Sequence, residues 1–351
     1  MPQQRDHDVS NPASLPPVSG SIPRAELDTM PDSGAQFTTA TPLPWLPSGS
    51  LVEGTFRIDR LLGAGSMGQV YLAHDETLDR SVALKLVGAT SGNQEAWRVK
   101  FRNEARTMAR VRHENVVALH SVGEYERWLY LVMEYVPGID LQAWLRKQGP
   151  LPLGTAHGVI TQVCRGLHAI HQEGAVHRDV KPGNILVSAG FRVALTDFGL
   201  ARWVDTSHTS GERGVVRTPA YVEKCPSSRP RPRFPYEHGV VGTPAYVAPE
   251  MVLGAPPDPE LLSRIDIYSL GVLAFELVTG SLPFEAPSPA GVLLAQLATR
   301  PPLASERAAG IPTSVDDAIF AAMAKDPRDR PSSAIEFLWK LERDLGVVSS
   351  R

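Results

Sequence analysis

The chain changes its hydrophobic period once, and that change limits the architectures it can reach. Short strand-type runs recur between turn signals at residues 56–62, 70–73 and 81–87, which predicts a small antiparallel sheet. Residues 95–110 place Val99, Phe101, Ala105 and Met108 near helical spacing, and strand character returns at 116–122 and 129–134. After Gly138 the pattern is helical, with helices expected at 154–172, 261–279, 290–299, 313–324 and 332–345. The expected fold is therefore α+β and bilobal. A strand-rich lobe with one main helix spans residues 56–136, and a larger, mainly helical lobe spans 137–345; at 351 residues the chain exceeds one average domain.

Ahead of the sheet, residues 1–50 hold nine prolines and no Lys, with no sustained period. They are expected to stay a disordered tail. A net charge of −3 and a pI near 6.4 give no reason to invoke nucleic acid or an anionic membrane surface. The most apolar stretch, 265–282, is interrupted by Asp266 and Glu276 and bounded by Gly280 and Pro283, so it reads as a buried core helix rather than a membrane span. The amino terminus lacks the basic-then-apolar order of a secretory signal. Cys164 and Cys225 stand far apart without metal-ligand spacing, which fits reduced thiols and a cytoplasmic location. Lys is scarce, seven residues against twenty-eight Arg, a bias expected of GC-rich bacterial coding; Lys85 and Lys181, each inside a motif, stand out against it.

The chemistry-bearing segment is His177-Arg178-Asp179-Val180-Lys181-Pro182-Gly183-Asn184, followed thirteen residues after the Asn by Asp197-Phe198-Gly199. Phosphoryl transfer from ATP needs this set: one carboxylate to orient an attacking hydroxyl, and an Asn with a second Asp to hold Mg2+ against the triphosphate. Upstream, Gly63-Ala64-Gly65-Ser66-Met67-Gly68-Gln69-Val70 follows one strand and opens another. Such glycines let backbone amides approach phosphates closely, although alone the run is equally a glycine-rich hairpin turn. A dinucleotide fold would need a helix directly after the glycines. Lys85 lies in a strand, where an isolated charge is costly to bury, and Glu104, nineteen residues on in the first lobe's helix, is the expected partner. The segment 131–138 joins the lobes. Main-chain atoms of Glu134 and Val136 would meet an adenine edge there, with Met133 at the back of the pocket or simply in the core.

In this order and spacing, the glycine-rich loop, strand Lys, helix Glu, His-Arg-Asp with downstream Lys and Asn, Asp-Phe-Gly and Ala248-Pro249-Glu250 resemble the protein kinase family. The likeness is specifically to bacterial relatives of eukaryotic Ser/Thr kinases, over about residues 56–345. The resemblance implies that Asp179 accepts or orients the proton of the substrate hydroxyl, Lys181 steadies the γ-phosphate, Lys85 with Glu104 serves the α and β phosphates, and Asn184 and Asp197 bind Mg2+ or Mn2+. ATP would be enclosed by Leu62, Gly63, Ala64, Gly65, Ser66, Met67, Gly68, Gln69, Val70, Ala83, Lys85, Met133, Glu134 and Val136. Lys181 and Thr243 are similar to the Ser/Thr branch, which implies Ser or Thr acceptors in proteins, autophosphorylation and a role in bacterial signalling. Arg178 resembles an arginine that pairs with a phosphorylated activation loop, and some family members pair as homodimers through the first lobe. Asp266, Glu250 and Arg330 look like scaffold, with Tyr268 in place of the usual Trp. Two other readings remain, a nucleotide-binding scaffold without catalysis and a small-molecule phosphotransferase; the filled catalytic positions oppose the first and the long activation segment the second.

That segment, 197–250, is stretched by an internal repeat. Residues 214–222 recur as 239–247, twenty-five positions later, and subtracting that period from the fifty-three between Asp197 and Glu250 leaves twenty-eight, an ordinary length. The second copy runs directly into Ala248-Pro249-Glu250, so Thr243 rather than Thr218 is assigned to the site. The inserted stretch, about 217–241, includes the basic Pro-rich run Arg229-Pro230-Arg231-Pro232-Arg233.

Overall fold

In the computed structural model, residues 43–65, 68–88, 94–198, 244–254 and 258–343 are described. Ser66, Met67, Gly199, Thr218, Thr243 and the repeat insertion at 217–241 lie outside them, as do residues 1–42 of the expected tail. The first lobe is a six-stranded antiparallel sheet of order β1-β2-β3-β4-β6-β5, formed by Leu51–Val52 (β1), Phe56–Gly65 (β2), Gly68–Asp75 (β3), Arg80–Val87 (β4), Leu119–Tyr125 (β5) and Trp128–Glu134 (β6). One helix, Gln94–Met108 (α1), interrupts it.

Residue parity along β4 and β6 explains how one sheet serves two cores. Val82, Leu84 and Leu86, with Trp128, Tyr130 and Val132, fill an outer cluster with Ile58 and Tyr71. Ala83 and Val87, with Leu129, Leu131 and Met133, face the other way into the main core with Phe101, Ala105 and Met108 of α1. Because successive side chains alternate across a strand, both faces are apolar where both are covered. Val99, expected on the helix's inner face, is instead about half exposed at 49%.

Two boundaries differ from expectation for identifiable reasons. Residues 43–50 were expected within the tail, yet Leu46 is buried in the outer cluster and its N–H donates to the Tyr71 hydroxyl at 3.2 Å, while Gly49 N–H donates to the Ile58 carbonyl at 2.8 Å. Residues 116–118, expected to open a strand of the first sheet, dock on the second lobe: Val117 N–H donates to Leu195 O at 2.8 Å, and Leu195 N–H to Asn115 O at 2.9 Å.

The second lobe is helical around Arg264–Thr279 (α5), which is buried at nearly every position from Ile265 to Val278, as the apolar run predicts. Leu153–Gln172 (α3) and Thr313–Ala322 (α7) pack on α5, and Ala334–Glu342 (α8) packs on both α3 and α7. Pro249–Val252 (α4) and Pro289–Ala298 (α6) complete the set, together with Leu141–Gln148 (α2), where Asp140 caps the helix by accepting from Ala143 N–H at 2.7 Å. A small sheet of order β7-β8-β9, from Gly138–Asp140, Ile185–Ser188 and Val193–Leu195, brings the two chemistry-bearing loops side by side.

Candidate active site

Strand β8 begins one residue after Asn184 and β9 ends two residues before Asp197, so their pairing fixes both loops at one edge. Thr196 N–H donates to Asn184 O at 3.0 Å, which keeps the two metal-ligand candidates adjacent. Asp179 accepts from Lys181 Nζ at 2.7 and 3.0 Å, and from Asn184 Nδ2 at 2.7 Å. The same Nδ2 donates to Asp179 O at 2.8 Å. That commits the amide nitrogen of Asn184 to the loop and leaves its carbonyl oxygen for a cation.

Beneath this loop lies Asp266, wholly buried, accepting from the backbone N–H of His177 and of Arg178 and from His171 Nε2, each at 2.7 Å. Burial pushes its carboxyl up, but the His171 bond, the neighbouring imidazoles and the Arg178 amide outweigh that and hold it below the ordinary carboxylate value. Such a group stabilises the fold above its unfolded pKa of about 4, and the contribution is lost as pH falls through the lower folded value. Urea unfolding of the native chain should therefore lose stability below pH 4 more steeply than Asp266→Asn does. Equal slopes would remove Asp266 as the acid-sensitive group. Burial pulls the His177 ring below its usual range, despite the nearby carboxylates of Asp266, Asp179 and Asp197.

Arg178 and Asp197 both adopt left-handed backbone, at φ 66° and 64°. Non-glycine residues rarely do so, and each such position costs on the order of 1 kcal/mol or more unless its surroundings impose it. Asp266 imposes it at Arg178 through the amide bond, and Asp197 is held by an ion pair with Lys85, Nζ to Oδ1 at 2.7 Å. The sequence pointed to Glu104 as the ion partner of Lys85, and the contact with Asp197 was not foreseen. Glu104 lies half-buried on α1, and the lysine, 3% exposed, reaches across the cleft to the metal-side Asp.

The glycine-rich turn joins β2 to β3. Gly68 has φ +136°, and a Cβ there would stand 2.2 Å from the Leu86 carbonyl oxygen, whereas a Cβ at Gly63 or Gly65 would meet no atom within 4 Å. Close backbone packing requires Gly68, and open space lies over Gly63 and Gly65. Gly68→Ala should cost about 1–3 kcal/mol from conformation alone, read as a lower urea midpoint; an unchanged midpoint would show that the strand shifts freely. Ala83, Met133 and Val136 are buried and continuous with Val70, forming one apolar wall. At its end the Glu134 carboxylate pairs with Arg192, Nη1 to Oε1 at 2.5 Å and Nη2 to Oε2 at 3.2 Å, while Arg192 Nε donates to Glu114 O at 2.8 Å. The Glu134 side chain, which the sequence had left without a role, thus ties β6 to the second lobe.

The end of the activation segment is anchored from two helices. Ser269 Oγ of α5 donates to Tyr246 O at 2.8 Å, Gln296 Nε2 of α6 donates to Ala245 O, and the Tyr246 hydroxyl donates to a Glu276 carboxylate oxygen. Glu250 receives a two-pronged ion pair from Arg330, at 2.7 and 2.8 Å. The repeat copy that occupies this slot is the second one.

Residues 56–338 match the family model described as the protein kinase domain. The chain belongs to the protein kinase family. This kinase is 38% identical over 298 residues to the serine/threonine-protein kinase PknJ of Mycobacterium tuberculosis, a match covering 83% of the chain and 45% of that protein. To PrkC of Bacillus subtilis, named a serine/threonine-protein kinase, it is 32% identical over 286 residues, 82% of the chain and 40% of the relative. The kinase therefore spans less than half the length of either. The crystal structure of the Mycobacterium tuberculosis PknI kinase domain superposes with a TM-score of 0.62 at 26% identity, covering 86% of the kinase and 99% of that chain. The antiparallel first lobe and helical second lobe are those of this family's fold.

The donor set suits a hard divalent cation. Among the described residues no three His, Cys, Asp or Glu side chains converge as a metal cage. The Asn184 carbonyl oxygen and the Asp197 carboxylate are oxygen donors of the kind that hold Mg2+ when phosphates and water complete the shell. Among the same residues no helix is long and apolar enough to cross a membrane.

Proposed function

We propose that this kinase transfers the γ-phosphate of ATP to Ser or Thr hydroxyls of proteins, its own among them, as a signalling enzyme of the bacterial cytoplasm. The observation that carries the reading is Asp179, held at 2.7 Å by both Lys181 Nζ and Asn184 Nδ2 beside the Asp197 loop. An acceptor hydroxyl gives its proton to the Asp179 carboxylate as its oxygen bonds to the γ-phosphorus. The bond from that phosphorus to the bridging oxygen breaks, and ADP leaves with the electron pair. Lys181 and Lys85 balance charge on the transferred group and the remaining phosphates, so positioning and electrostatics supply most of the rate. Asn184 and Asp197 would hold Mg2+ or Mn2+, which neutralises phosphate charge. Gly63, Ala64, Gly65, Ser66, Met67 and Gly68 would cover the phosphates. Leu62, Val70, Ala83, Met133 and the main chain of Glu134 and Val136 would enclose the adenine, with the Glu134 N–H given to Ala118 O at 2.8 Å. Thr243 and Arg178 would serve acceptor choice and loop phosphorylation, and first lobes would pair in a homodimer.

Incubation of the purified chain with γ-labelled ATP, Mg2+ and casein, followed by mapping of modified residues, tests the reading. Label on Ser or Thr is expected. ATP binding without transfer would favour the scaffold reading, and label on a small molecule alone would favour the third.

A further inference from the structure

The Tyr268 hydroxyl makes hydrogen bonds in the core of the second lobe that a phenyl ring could not make. Tyr268 is wholly buried on α5, and its hydroxyl donates to Oε1 of Gln296, itself wholly buried on α6. Gln296 then donates its Nε2 to Ala245 O. On the far side, Lys325 Nζ donates to the Gln296 backbone carbonyl at 2.7 Å and lies 3.5 Å from the Tyr268 oxygen, with its charge over the rings of Phe284 at 4.5 Å and Tyr268 at 5.7 Å. Arg330 stacks on the Tyr268 ring at 4.9 Å. The bonds run in one direction, from ammonium to hydroxyl to amide to the carbonyl of the activation segment, and hydrogen bonds in such a chain polarise one another.

A buried amide has two faces of opposite character: the Ala245 carbonyl, which only accepts, takes the Nε2 face, and the Oε1 face then needs a donor. From this geometry we infer that Tyr268, Gln296 and Lys325 are positioning residues for the protein acceptor. The Tyr268 hydroxyl holds the Oε1 end of the Gln296 amide, and Gln296 sets the height of the Pro244–Tyr246 turn, directly after Thr243, on which the acceptor chain would lie. None of the three touches nucleotide or acceptor; they act through the turn. The inference rests on the reading of the chain as a protein kinase and names what that site uses to hold its second substrate.

Tyr268→Phe, Gln296→Glu and Gln296→Leu separate this role from mere support of the core. With Tyr268→Phe, KM for casein should rise about 5- to 10-fold, the weight of one buried neutral hydrogen bond, while KM for ATP and acceptor-free ATP hydrolysis stay within about twofold. Gln296→Glu should be worse than Gln296→Leu, because it keeps the acceptor for Tyr268 and turns an oxygen toward the Ala245 carbonyl. Parallel loss of casein transfer and ATP hydrolysis would overturn the inference, as would no change in either. Amide exchange of residues 244–252, with α7 as internal control, gives a readout independent of catalysis. Faster exchange in Tyr268→Phe supports the anchor and unchanged exchange refutes it, even in a chain that labels no protein. Absence of any Ser or Thr transfer by the native chain would instead sink the kinase reading alone.

Discussion

Replacing Asp179 with Asn should lower phosphate transfer to Ser or Thr by about a thousandfold, the range expected when a positioned general base is lost. The fold should barely register the change. Asp179 sits in a polar loop where Lys181 and Asn184 donate to it, and an Asn there still offers one oxygen to accept. The measurement is single-turnover transfer of labelled γ-phosphate to casein, paired with thermal unfolding. Near-native transfer would remove Asp179 from its assigned role, and a collapse of the melting temperature would mean that the loop, not the chemistry, had been broken.

Arg330→Met should produce the largest loss of stability, about 3–5 kcal/mol, equivalent to roughly 10 °C in melting temperature for a domain of this size. The Arg330 side chain is wholly buried, and it donates to both oxygens of Glu250 and to the carbonyls of Ala324, Arg264 and Lys325. Its removal leaves a carboxylate and three carbonyls without their donor. The double variant Arg330→Met with Glu250→Leu should recover much of the loss, because the penalty lies in the orphaned charge rather than in the absence of the pair. A double variant no more stable than the single one would place the cost in the carbonyl bonds instead.

Much of this was readable in the residues because function and fold use compact local patterns here. Apart from the two-residue β1, the strand and helix order of the first lobe followed from period, and Asp179, Asn184 and Asp197 stand in two short segments that β8 and β9 bring together. The parts that were not legible depend on distant partners. Glu134 with Arg192, and Gln296 with Ala245, are separated by 58 and 51 positions, and no local spacing announces them. Helix α2 was overlooked because eight residues give barely two turns of periodicity; its boundary signals, Asp140 before it and Gly149 after it, were the available clue. The tail boundary was misplaced because Leu43 and Leu46 are isolated apolar residues among prolines, and their burial depends on a sheet formed later in the chain. The contact of Lys85 with Asp197 was not foreseen because sequence fixes which charges exist but not which rotamer of a long side chain finds which partner.

The odd and even positions of β4 carry a lesson for anyone altering this scaffold. Lys85 reaches the cleft because it shares parity with Ala83 and Val87, while Val82, Leu84 and Leu86 belong to the outer cluster. Residues added at the turn of 76–79 leave that parity intact. A single residue inserted within β4 ahead of Lys85 would turn the ammonium into an apolar layer and a leucine into the cleft. Length is negotiable in this lobe between strands, and within them only in steps of two.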